Sequence, residues 1–164
     1  MRGVAALIAL CALVTACQAP DDTTPPERSP LVAACAGDQP TGPQTIAGAD
    51  LARFIATTPL PADVRVAGGQ LAFSPQRAGL VDLSLDLCLP GEADLDDLRL
   101  VATALAHDLA AHELGDRTAA LSVACVCPHD PGVTAVRDPA FQQHPWDGTP
   151  SPEAELLTWE IVTG

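Results

Sequence analysis

Gly79-Leu80-Val81-Asp82-Leu83-Ser84-Leu85-Asp86-Leu87-Cys88-Leu89 decides the fold. Val81, Leu83, Leu85, Leu87 and Leu89 alternate with Asp82, Ser84, Asp86 and Cys88, the period of two expected of a strand with one buried and one polar face. A helical pattern follows. Asp94 is placed to cap it, Asp96 and Asp97 suit its positive end, and Leu98, Val101, Ala102, Leu105 and Leu109 form one apolar stripe. His107 and His112 fall near its C-terminus, and Gly115 is expected to stop it. Thr118 to Cys127 then reads as a second strand, with Leu121 and Val123 on its buried side. Strand, helix and strand in this order predict a right-handed crossover unit.

Outward from this unit, Asp50 to Ala56 places Leu51, Phe54 and Ile55 on one side of a short helix that ends before Pro59. Asp63 to Phe73 reads as a hairpin turning at Gly68-Gly69. A Pro/His-rich loop, Pro128 to Pro152, leads to a last strand carrying Leu157, Trp159 and Ile161. The expected architecture is an α/β (α+β) two-layer sandwich, a mixed sheet of about five strands with two helices on one face.

The chain has 164 residues, 48% of them apolar but only 3% aromatic, so its core rests on Leu, Val and Ala. Its net charge of −13 opposes any nucleic-acid partner, because nothing here neutralises a row of phosphates. Lysine is absent, which removes Schiff-base chemistry and the P-loop. None of the five serines lies in Gly-x-Ser-x-Gly, so a nucleophile elbow is absent too. No residue pattern calls for a cofactor.

The first 17 residues have a different character. Arg2 precedes an uncharged run from Val4 to Val14, too short for the roughly 20 apolar residues that span a bilayer but suited to a signal-peptide core. It closes on Val14-Thr15-Ala16-Cys17, which resembles the lipobox of bacterial lipoproteins. That resemblance covers residues 1–17 alone. It implies a diacylglyceryl (palmitate-type) group on the Cys17 thiol, removal of residues 1–16 as a signal peptide, and a cell-envelope location on either the plasma or the outer membrane. Cys11 is the poorer candidate, since bulky Leu10 precedes it and the apolar run continues beyond it. Gln18 to Pro30, with four prolines and three acids, is expected to be a disordered tether after the lipidated Cys17. Residues 31–164 then form a single domain.

Three constellations within that domain bear on chemistry. His112-Glu113-x-x-Asp116 has a metalloprotease-like spacing with Asp in the last place, but Gly115 is expected to end the helix before Asp116, and no metal site is expected. Asp108 and His112 share a helix face as an ordinary surface pair. Asp82 and Asp86 project from the polar face of one strand, where carboxylates serve as acid and base or, more commonly, as a solvated face. Trp146, beside His144 and Asp147, is either a contact residue or a cover for the core's edge.

With Cys11 and Cys17 spent, Cys35, Cys88, Cys125 and Cys127 remain, and export favours two disulfides. Two residues apart on one strand, Cys125 and Cys127 stand too far from each other to bridge, so Cys35 and Cys88 are each expected to take one of them. The rival is a zinc site from Cys125, Cys127 and His129. Redox chemistry at Cys125-Val126-Cys127 ranks lower, since that spacing is not Cys-x-x-Cys.

The function expected is that of a membrane-anchored, non-catalytic module binding an envelope protein or small ligand. The alternative is a small metal-dependent hydrolase using His112/Glu113 or Asp82/Asp86. Cells fed labelled fatty acid are expected to label the wild-type protein and not Cys17→Ser; equal labelling of both would rule out the anchor.

Overall fold

Five of the six strands in the computed structural model extend outward in register from the alternating stretch at Val81–Cys88. The structure describes Cys35 and residues 45–90, 93–126 and 134–163. The strands are Thr45–Ala47 (β1), Arg65–Phe73 (β2), Val81–Cys88 (β3), Thr118–Cys125 (β4), Thr134–Asp138 (β5) and Glu160–Thr163 (β6), and they lie side by side in that order. Helices Ala49–Thr57 (α1) and Leu95–Ala110 (α2) provide the two crossovers, joining β1 to parallel β2 and β3 to parallel β4. The remaining neighbours are antiparallel, and a short helix, Pro152–Leu156 (α3), precedes β6. The protein is a mixed α/β sandwich of two layers, with one strand more than the sequence suggested.

Register explains the layering. Leu85 stands opposite Gly69 on β2 and Val123 on β4, and Val123 stands opposite Val136, so these residues share one face. Leu83, Leu85, Leu87, Leu121, Val123 and Val136 are almost fully sealed from solvent there. They belong to one core cluster with Leu51 and Phe54 of α1 and Leu98, Ala102, Leu105 and Leu109 of α2, so both long helices cover the same side. Each such leucine contributes about 1.5–3 kcal/mol by leaving water. The opposite face carries Gln70, Ser84, Ser122 and Arg137 in one row and Gly68, Asp86, Ala124 and Ala135 in the next.

Asp94 caps α2 as expected. Its Oδ1 accepts from the backbone N–H groups of Asp96 (2.9 Å) and Asp97 (3.0 Å), while Asp97 Oδ2 accepts from Asp94 N–H at 3.1 Å. This reciprocal pair satisfies three donors at the helix start. The helix ends earlier than expected, at Ala110. Gly115 is not its stop; it opens a 3-10 turn folded back on α2, where an added Cβ would lie 2.1 Å from the Leu109 carbonyl oxygen.

The Gly68-Gly69 hairpin is overturned. Both glycines lie inside the single strand β2, and the turn to β3 spans Ser74 to Leu80. Gly69 is there for close approach: an added Cβ would meet Leu85 Cδ2 at 3.0 Å and Leu51 Cδ2 at 3.2 Å, where α1 packs down on the sheet. Gly68 adjoins a bulge between Val66 and Gly68. The expected Pro128–Pro152 loop contains a strand, β5, built around a single buried valine, Val136.

The expected cysteine pairing is also corrected. Cys35 is bonded to Cys88, with Cα atoms 5.4 Å apart. Leu87 stands opposite Cys125, so Cys125 shares the core-facing side with Leu87 while Cys88, one residue on, points to the open face. A bridge from Cys88 therefore leads to a segment on the open side. Arg65 donates to the Cys35 carbonyl at 3.1 Å and stands beside Cys88 in the ladder. A loop with 53 residues' separation gives the bridge about 4 kcal/mol on the chain-entropy account. Cys125 is disulfide-bonded as well, which leaves it no thiolate for the zinc alternative. Cys127 and His129 lie outside the described residues, as do Cys11, Cys17, the tether and the boundaries drawn at residues 16, 30 and 31.

Candidate functional site

The structure separates the residues that suggested hydrolase chemistry. The Nδ1 atom of His112 accepts from the Leu114 backbone N–H at 3.1 Å, and its ring meets Phe54 edge-on at 5.4 Å. Its neighbour Glu113 turns outward to Arg53, 2.8 Å away. Asp116 sits on the 3-10 turn, off the helix. Asp108 lines the groove described below. Among the described residues no three His, Cys, Asp or Glu side chains converge to hold a metal.

Asp82 and Asp86 do share the open face, but four residues of strand place them about 13 Å apart. Paired catalytic carboxylates in glycoside hydrolysis span at most about 9.5 Å. Asp82 is held instead by Arg137 at 3.4 Å. Burial pushes the Asp86 carboxyl above its ordinary range.

Trp146 is a cover for the core rather than a contact residue. It is 3% exposed, with a backbone φ of 48°. Its ring centroid lies 5.2 Å from Trp159 and 5.9 Å from both Phe141 and His144. His144 is held in place by Asp138, fully buried, whose Oδ2 lies 2.9 Å from His144 Nδ1 and whose Oδ1 accepts from Ala140 N–H. This aromatic knot closes the helix layer beside β5.

Next to it the chain builds a second histidine–carboxylate pair. Ser151 caps α3 by accepting from Ala154 N–H at 3.2 Å, which sets Glu155 facing inward, 5% exposed. Glu155 Oε2 lies 2.7 Å from His107 Nε2 on α2, and Oε1 accepts from Gly148 N–H at 2.8 Å. Both carboxylate oxygens are therefore satisfied, and among the described residues the part-exposed imidazole has a partner at one nitrogen only. His107 lines a groove of about 500 Å³ between α2 and α3, walled by Leu100, Ala104, Pro59, Pro152 and Leu156, with Asp108 and Thr103 among its polar groups. Thr103 Oγ1 accepts from Trp159 Nε1 at 2.9 Å, and no serine or cysteine lines the groove. Asp147 lies close enough for His107 to act on its charge. Hydrogen bonds from the Thr149 hydroxyl and backbone, chiefly, hold its carboxyl below the ordinary range.

Sequence reasoning singled out His107 only for its place near a helix end. Its partner lies 48 residues away, inside what read as a Pro-rich loop. The one local signal was Ser151-Pro152-Glu153, a helix start.

No protein family, curated protein or solved structure matches the chain. No helix of the described residues is long and apolar enough to cross a membrane.

Asp86 gives the sheet face a pH signature. With its folded pKa raised, the native state is favoured below the ordinary carboxylate range, and that contribution is lost as pH rises through the folded value. Asp86→Asn is therefore expected to raise the thermal midpoint by about 1–3 °C at pH 7 and by nothing measurable near pH 3. A midpoint lowered at pH 7 would contradict the assignment.

Proposed function

We propose that this chain is a lipid-anchored, non-catalytic binding module of the bacterial envelope, and that the groove between α2 and α3 is its ligand site. The observation that carries the reading is the inward-facing Glu155, which holds His107 in the wall of a largely apolar groove. A buried carboxylate with both oxygens satisfied, orienting a ring that keeps one nitrogen unspent, is what a recognition site needs to fix a ligand's direction. The missing nucleophile supports binding over catalysis: the groove's one hydroxyl, Thr103, already accepts from Trp159.

Charge narrows the ligand class. Asp108 and Glu155 line the groove, Asp147 lies near its histidine, and the whole chain carries −13. An apolar body bearing a protonated amine complements this lining, whereas an apolar carboxylate is repelled. The export signal resembling a lipobox and the proline-rich segment after Cys17 support display of such a groove at a membrane, on a tether long enough to clear the headgroups.

Calorimetry on the full-length protein in detergent tests this. Octylamine is expected to bind saturably and octanoate not to bind. Ala104→Arg, placed on an exposed groove wall, is expected to weaken octylamine at least about tenfold, or about 1.4 kcal/mol. Equal binding of the acid and the amine, or an unchanged affinity in the variant, would overturn the proposal.

A further inference from the structure

The open face of the sheet carries a different concentration of unspent polar groups. Below the Ser74–Leu80 turn lies a pocket of about 520 Å³ lined by Ser74, Arg77, Arg137, Glu160 and Val162, among others. Of the five buried side-chain polar atoms that lack a hydrogen-bond partner among the described residues, two belong to this lining, Ser74 Oγ and Arg137 Nε, and a third, Asp82 Oδ1, belongs to the ion-pair partner of Arg137. Native proteins leave few such atoms, and at a cavity they are completed by ordered water or by a bound molecule.

The charges around it are only partly spent. Arg137 reaches Asp82 with Nη2 at a long 3.4 Å, although Glu160 stands directly opposite it on β6 and makes no ion pair with it. The Arg77 guanidinium and the Glu160 carboxylate line the same pocket, yet neither has a charged or hydrogen-bonded partner among the described residues. Arg53, Arg99 and Arg117, by contrast, are each paired with a carboxylate. Two guanidinium groups and the Glu160 carboxylate thus line one cavity without pairing across it.

We infer that this pocket binds a small zwitterion, an α-amino acid with an apolar side chain or a peptide terminus of that kind. A simple phosphate would meet Glu160 as a like charge, and a simple amine would meet Arg77 and Arg137. A molecule carrying both groups answers both: its carboxylate accepts from Arg77, Arg137 Nε and the Ser74 hydroxyl, and its ammonium donates to Glu160. Val162 supplies an apolar wall for the side chain. The site lies on the sheet face opposite the two long helices and is independent of the groove between α2 and α3.

Titration of the full-length protein in detergent with L-leucine and its two half-molecules tests the inference. Leucine is expected to bind saturably, and 4-methylpentanoate, which lacks the amine, and isopentylamine, which lacks the carboxylate, at least tenfold more weakly. Arg77→Gln and Glu160→Gln are each expected to weaken leucine at least tenfold without moving the thermal midpoint, while Ala104→Arg, in the groove, leaves it unchanged. Absence of saturable leucine binding up to about 10 mM would overturn the site, leaving ordered water to satisfy these atoms. Equal binding of 4-methylpentanoate, or loss of leucine binding in Ala104→Arg alone, would overturn it as well.

Discussion

The one-sided burial of β3 is the constraint on which the rest of the molecule depends. Leu83, Leu85 and Leu87 are sealed, while Asp82, Ser84 and Asp86 on the reverse stay half-exposed. A strand with this contrast leaves its register no freedom, because a slip of one residue would bury three polar side chains and expose three leucines. Once β3 is set, β2 and β4 align their apolar residues to the same side, and both crossover helices must cover that side. The same alternation sends Cys88 to the open face and Cys125 to the core face, and so selects Cys35 as the partner of Cys88. A local period of two thereby determines layer, topology and one covalent link.

That constraint was legible because it is written in consecutive residues. Long, strongly periodic stretches such as Val81–Cys88 and the stripe of α2 carry their own reading, as does the Asp94 cap. What escaped depends on residues distant in the chain. Gly69 reads locally as a turn, and only the descent of Leu51 and Leu85 onto it explains a glycine in mid-strand. β5 has one buried valine and no alternation to announce it; its place comes from pairing with β4 and β6. The pairing of Cys35 with Cys88 escaped because alternation gives the face of Cys88 but not which distant segment meets it there. His107 and Glu155 likewise meet only through tertiary packing, and the sequence offered no more than a helix start at Ser151.

The two layers divide the chemistry between them. On the helix side, the buried carboxylate of Glu155 fixes a histidine beside apolar walls; on the sheet side, small residues leave the face shallow, and charged groups collect beyond the β2–β3 turn. The Cys35–Cys88 bridge fastens the chain to that sheet side, 18 residues after the cysteine whose surroundings resemble a lipobox. His112, Glu113, Asp82 and Asp86 all have structural neighbours that account for them: a backbone amide and Phe54, Arg53, Arg137, and a partly buried strand face.

The most direct measurement compares the two faces of β3 at adjacent residues. Denaturant unfolding of Leu85→Ala and Ser84→Ala tests whether one-sided burial organises the fold. Leu85→Ala is expected to cost about 2–5 kcal/mol, by lost transfer energy and the cavity left under the helix layer, and Ser84→Ala to stay within about 0.5 kcal/mol of wild type. Equal costs for the two substitutions, or a larger one for Ser84→Ala, would contradict the account.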